Sequence, residues 1–225
     1  MIDFNGVRGD KRGMPGALIT FEGGEGCGKS TQLTRLAGRL RAAGREAIEV
    51  SEPGSTAVGL QIRNLLLHAE EGRELDARTE LLLFAASRAQ LVQQAVKPAL
   101  QRGVIVLSDR FTDSTVVYQG IARGLDLAFI KLLNAFAADG LRPDLTFLLD
   151  LGPAASQARL LRRVRPVGAK DRMEALPPSF FEKVREGYLR LAREEPQRFC
   201  VIDASRKRDE IEEEIWKVVH GFLCR

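Results

Sequence analysis

"ALITFEGGEGCGKST", residues 17–31, decides how this chain is read. A short apolar run, 17–22, leads directly into Gly23-Gly24-Glu25-Gly26-Cys27-Gly28-Lys29-Ser30, which matches G-x-x-x-x-G-K-[ST] in full. A helical pattern begins at once behind it, over 29–43. Strand, glycine-rich loop and helix in that order form a phosphate cradle. The glycines let backbone N–H groups turn inward, the helix N-terminus adds positive potential, Lys29 reaches the outer phosphates and the Ser30 hydroxyl suits Mg²⁺. The nucleotide-contacting stretch is therefore Gly23, Gly24, Glu25, Gly26, Cys27, Gly28, Lys29, Ser30 and Thr31. Cys27 reads as a small residue turned away from the nucleotide rather than a redox switch. Glu25 poses a question, because a carboxylate is out of place among phosphates.

Working outward, four more apolar runs predict strands at 47–52, 104–109, 145–150 and 199–203. They are continuous rather than alternating, as strands covered on both faces are. Helical patterns lie at 57–70, 76–101, 112–137, 153–164, 177–194 and 207–222. Strand–helix alternation predicts an α/β fold: a five-stranded parallel sheet with helices on both faces, three layers in all. Ligands of such sheets sit beyond the carboxyl ends of the strands, where Glu52, Asp109 and Asp150 fall. Asp109 and Asp150 compete to be the carboxylate on the metal side. Arg110, next in the chain, favours Asp109.

At 225 residues the chain has room for one domain, taken as 17–225, behind a flexible leader, 1–16. The leader has no long apolar run, which excludes a signal peptide, and no stretch is apolar for long enough to span a membrane. Cys27, Cys200 and Cys224 fit neither a disulfide framework nor a zinc site, so a reducing cytoplasm is expected. The net charge of +4 is a weak lean toward anions, small phosphates ahead of nucleic acid. Basic residues gather in one place: Arg159, Arg162, Arg163, Arg165, Lys170 and Arg172, interrupted by Pro166 and Gly168. Near a phosphate loop, a cluster at about 159–172 reads as a lid that neutralises phosphate charge.

"FEGGEGCGKST" (21–31), "EPGST" (52–56), "LLLFAASRAQLV" (81–92), "SDRFTDSTVVYQG" (108–120), "RPDLTFLLDL" (142–151) and "DRMEALPPSFFEKVREGYLRLA" (171–192) together resemble the thymidylate kinase (dTMP kinase) family. The resemblance runs from about residue 17 to the end of the chain. It implies a P-loop NTPase fold and transfer of phosphate from ATP·Mg²⁺ to dTMP, with Ser30 and Asp109 on the metal. It also implies a homodimer; the scattered charge and the lack of a long apolar run lead us to expect no nucleic-acid or membrane partner.

The resemblance accounts for Glu25 as the acceptor of a hydrogen bond from the 3′-hydroxyl of the acceptor sugar. Phe84 would stack on thymine, Arg88 would bond the base edge, and Arg110 would hold the acceptor phosphate, helped by Arg63. Thr115 and Tyr118 would line base and sugar, with Gln119 as a neighbour. Gly26 follows Glu25 where some members carry a catalytic arginine, so this chain is similar to the bacterial type. Its transition-state arginine is then expected from the lid, with Arg159, Arg163 and Arg172 as unranked candidates. Ser51 replaces the family's usual arginine, and Phe111 its usual tyrosine or histidine. The rival readings are a kinase of the same fold for another nucleotide, and a non-catalytic nucleotide switch.

Overall fold

The structure, a computed structural model, describes residues 16–162, 172–173 and 176–224. The expected leader, apart from Gly16, and most of the basic segment, Arg163 included, lie outside the described residues. Five strands form one parallel sheet: β1 (Leu18–Glu22), β2 (Ala47–Ser51), β3 (Ile105–Asp109), β4 (Leu145–Asp150) and β5 (Phe199–Asp203), in the order β2-β3-β1-β4-β5. Each lies within a residue of its predicted bounds at either end, because unbroken apolar runs specify a doubly covered strand.

Side-chain alternation divides β1 between two cores. Ile19 and Phe21 face α1 (Lys29–Ala42) and α9 (Arg208–Leu223), packing with Leu36, Leu40, Phe147, Ile211 and Ile215. Leu18 faces the opposite layer with Val106 and Phe111. Thr20 and Glu22 alternate onto that same side, where Thr20 Oγ1 bonds Thr146 Oγ1 at 2.9 Å. This second layer is built from α2 (Ala57–Leu67), α3 (Ala77–Leu91), α4 (Lys97–Gln101), α5 (Thr112–Thr115), α6 (Leu127–Ala137) and α8 (Pro178–Glu194). The remaining helix, α7 (Pro153–Arg162), leaves the end of β4 and leads into the basic segment.

Two predicted helices differ from what forms. The pattern at 112–137 is not one helix: α5 runs into a π-helical stretch, Val116–Ala122, and the chain restarts at α6. Gly124, at φ 79°, turns the chain, and the Asp126 side chain caps α6 by accepting from Phe129 N at 2.7 Å. Hydrophobic periodicity continues across the break, and so hides it. The 76–101 pattern is continuous in space but passes through a π-helical turn, Val92–Val96, just before Pro98. Pro98 has no N–H to give the preceding turn, and the wider π register accommodates that.

The chain goes from β1 to one side of the sheet for β2 and β3, then crosses to the other side for β4. The loop after β1 thus sits at the reversal of strand order, the position where such sheets bind ligands.

Candidate active site

The phosphate loop is shaped by close approach as well as by conformational freedom. A Cβ on Gly23 would lie 2.6 Å from Leu149 O, and one on Gly26 would meet Ser156 O at 3.1 Å and Leu160 Cγ at 3.2 Å. The start of α7 therefore packs on the loop, and the Ser156 hydroxyl donates to Glu25 O. This gives Gly26 a local reason: α7 occupies the space a side chain there would need. Lys29 is nearly buried, with Nζ donating to Gly24 O at 2.7 Å and Gly23 O at 3.2 Å.

At the C-terminal end of the neighbouring strand, Ser30 Oγ donates to Asp109 Oδ2 at 2.6 Å. A hydroxyl and a carboxylate side by side form the hard oxygen set that Mg²⁺ prefers. The competitor, Asp150, does not meet Ser30 but is engaged with Arg185 of α8 at 2.7 and 2.8 Å.

Two cavities open around this point. The larger, about 640 Å³, runs over Gly26, Gly28, Lys29, Ser30 and Thr31 to Asp109 and Arg159. The smaller, about 90 Å³, is a slot that includes Phe84, Arg88, Thr115, Tyr118 and Gln119. Glu25, Glu52, Arg63 and Arg110 line both. Every residue the sequence assigned to the acceptor, from Glu25 to Gln119, thus surrounds one slot. The sequence did not single out Pro53, Leu67, Ser114 or Met173, which line it too.

Glu25 and Arg110 form the junction. Arg110 Nη2 meets Glu25 Oε1 at 2.5 Å, and Tyr118 Oη lies 3.1 Å from the same nitrogen. Burial alone would push the Glu25 carboxyl up, but the charges of Arg110 and Lys29 outweigh it and hold it below its ordinary value. The carboxylate is therefore kept ionised beside the cradle by the cations around it. Arg110 itself sits at φ 72°, a left-handed conformation that turns its side chain back over the slot.

Beneath Arg110 lies a group that sequence reading missed. Glu22 Oε2 accepts from Ser114 Oγ and Tyr188 Oη, both at 2.7 Å, and Oε1 accepts from Phe111 N at 2.8 Å. The two hydroxyls lie 2.8 Å from each other, and with Glu22 ionised both can donate to it while accepting from Arg110 Nη1, which lies 3.0 Å from Ser114 Oγ and 3.1 Å from Tyr188 Oη. The buried carboxylate orients the arginine through two hydroxyls. Burial and the nearby Asp113 raise the Glu22 pKa to about 7, against the pull of Arg110. The signal in the sequence was a carboxylate ending an otherwise apolar, fully buried strand, which requires partners.

Arg88 is almost wholly buried and shared among Glu52, Asn134 Oδ1 at 2.6 Å, Thr115 Oγ1 at 2.8 Å and Phe111 O at 3.1 Å. Its Nη1 is bonded only to Asn134 among the described residues, which leaves that nitrogen a second N–H. The network holds the guanidinium rigidly. Phe84 is half-buried at the wall of the slot, so its ring is not merely core filling. Arg63 donates to Pro53 O at 2.9 Å.

The lid candidates separate. Arg159 lines the larger cavity, its Nη2 donating to Ala204 O at 2.8 Å. Arg172, another of the unranked candidates, donates to Glu80 and Leu66 O beside the slot. Buried Glu80 offers a partner that the segment's composition could not reveal.

The family model described as thymidylate kinase matches residues 21–215. The chain is 48% identical to a thymidylate kinase of Deinococcus radiodurans over 204 residues, covering 91% of this chain and 96% of that protein. It is 48% identical to one of Solidesulfovibrio magneticus over 209 residues, covering 92% and 100%. Among solved structures, the thymidylate kinase of Ehrlichia chaffeensis superposes with a TM-score of 0.74 at 31% identity, over 92% of this chain and all of that one.

Proposed function

The chain belongs to the thymidylate kinase family, and from that premise we propose how its residues divide the work. The protein is a phosphotransferase that uses ATP to convert dTMP to dTDP. Residues 17–225 act as one kinase domain, with ATP in the larger cavity and dTMP in the slot. The observation that carries this division is the sharing of Glu25, Arg63 and Arg110 by both cavities, so that the two ligands meet over these residues.

Two anions must be brought together, so catalysis here is chiefly positioning and charge neutralisation. Lys29 and the loop amides hold the donor phosphates. Ser30 and Asp109 would hold Mg²⁺, which when bound neutralises charge on those phosphates. Arg110, oriented from below by Ser114 and Tyr188, holds the acceptor phosphate with Arg63. Glu25 accepts from the 3′-hydroxyl of the acceptor sugar, which answers the question its place in the loop posed: its carboxylate turns toward the sugar and Arg110. Phe84 stacks on the base, and Arg88 donates its remaining N–H to the base edge. Thr115 and Tyr118 line base and sugar beside Gln119. Arg159 lines the donor groove, and it supplies transition-state charge together with Arg163.

The test is ADP release with ATP·Mg²⁺ and a panel of dTMP, dUMP, dCMP, dGMP, UMP, AMP, thymidine and no acceptor. Strong preference for dTMP is the expected result. Preference for another nucleotide would overturn the assignments in the slot and leave the phosphate loop standing. ATP binding without transfer to any acceptor would return the reading to a switch.

The protein works as a homodimer. Helices α2, α3 and α6 pack side by side and expose Leu60, Leu82, Phe129, Leu132 and Phe136, the last 83% exposed. An apolar face of this kind calls for a partner, and a second copy is the one proposed. Phe136→Glu with Leu132→Glu should convert a dimer to a monomer in light scattering. No helix among the described residues is long and apolar enough to cross a membrane.

A further inference from the structure

One buried carboxylate organises the wall of the slot. Glu80, in the first turn of α3, is wholly buried, and no motif drew attention to it. Its Oε1 accepts from Gln119 Nε2 at 2.9 Å and Arg123 Nε at 2.7 Å. Its Oε2 accepts from Arg123 Nη2 at 2.9 Å and from Arg172 Nη2. Arg172 is fixed in turn, its backbone N–H on Leu67 O at 3.0 Å and its Nε on Leu66 O at 3.1 Å. Gln119, Leu67 and Met173, all tied to this cluster, line the slot. Burial would raise the Glu80 pKa, but the bonds from Arg123 and Gln119 prevail and hold it below its ordinary value.

An ionised carboxylate only accepts hydrogen bonds. Gln119 must therefore give its NH₂ to Glu80, and the flipped amide would set two oxygens against each other. Gln119 Oε1 receives no donor among the described residues, so the amide's one acceptor is left for the slot. We propose that Glu80 is a positioning residue for choice of acceptor: it locks the Gln119 amide with its carbonyl toward the base. A fixed carbonyl suits the ring N–H of thymine and opposes cytosine, whose ring nitrogen at that place is an acceptor. This rests on dTMP being the acceptor.

The measurement is kcat/KM for dTMP and for dCMP, with KM for ATP, in wild type, Glu80→Gln and Gln119→Met. A glutamine at position 80 can keep its oxygen where Oε2 accepts from Arg123 Nη2 and Arg172 Nη2; its NH₂ then gives up the bond from Arg123 Nε and donates to Gln119, which can flip. The ratio of dTMP to dCMP should fall at least about tenfold in Glu80→Gln. The loss should come mainly from KM for dTMP, with KM for ATP within about twofold. Gln119→Met leaves Glu80 bound to both arginines and should lose the same discrimination, so it decides the matter even where Glu80→Gln does not fold. Undiminished discrimination in Gln119→Met, or a folded Glu80→Gln that is merely less stable, overturns the proposal. Wild-type turnover of dTMP is measured first, since its absence would bring down the proposed function itself.

Discussion

The two cavities that meet at Glu25 and Arg110 are built in opposite ways. The proposed donor groove is centred on the phosphate loop, where Gly26, Gly28, Lys29, Ser30 and Thr31 line it close together in the chain, joined by Asp109 from the adjacent strand. The acceptor slot is assembled from α2, α3, α5 and the π-helical stretch, with Met173 from beyond the basic segment. One is a backbone site, the other a side-chain site. A backbone cradle binds what many proteins bind, a polyphosphate, and its chemistry is set by loop conformation. A side-chain slot discriminates, because each wall residue is held in place by others behind it: Arg110 by Glu22, Arg88 by Glu52, Gln119 by Glu80.

The contrast can be broken by substitutions on either side. The largest effect is expected at Lys29. Lys29→Met should lower kcat about 10³-fold or more with the melting temperature nearly unchanged, since the side chain acts on donor phosphates and bridges only its own loop. Retained turnover would remove the phosphate loop from catalysis.

Glu25→Gln should act on the acceptor side alone, although Glu25 lies within the donor motif. KM for dTMP should rise about 10- to 100-fold, KM for ATP should hardly move, and the 3′-deoxy analogue should lose little. An equal rise in both KM values would place Glu25 with the donor.

The smallest effect is one of pH. Glu22 titrates at about 7 in the folded protein against an ordinary 4.5. Between those values the folded state holds a proton that the unfolded chain has released, so stability falls as pH rises through the window. Urea denaturation should show wild type less stable at pH 8 than at pH 5, with a shallower decline in Glu22→Gln. Parallel declines would show that Glu22 is not the titrating group.

Different parts of this molecule were legible to different degrees. All five strands and the donor loop could be read because their determinants are local: apolar runs for doubly covered strands, a fixed glycine spacing for the cradle. Phe84, Arg88 and Tyr118 could be placed only by resemblance to a family, since nothing in their own neighbourhoods marks them as pocket residues. The break between α5 and α6 was hidden by a periodicity that continues through it. The bond between Arg172 and Glu80 was not legible, because charge composition tells what a segment can neutralise, not which buried carboxylate it meets.

By itself, then, the sequence determined a parallel α/β sheet with a phosphate loop at its centre, because those features depend on residues a few positions apart. Only the tertiary structure decided that Asp109 rather than Asp150 joins Ser30, that Glu22 orients Arg110, and that Glu80 holds Gln119 and Arg172. Each of these pairs or triads spans tens of residues of chain. Burial makes their partnership obligatory, since a charge removed from water must find its complement, and which one it finds depends on the packing of the helices.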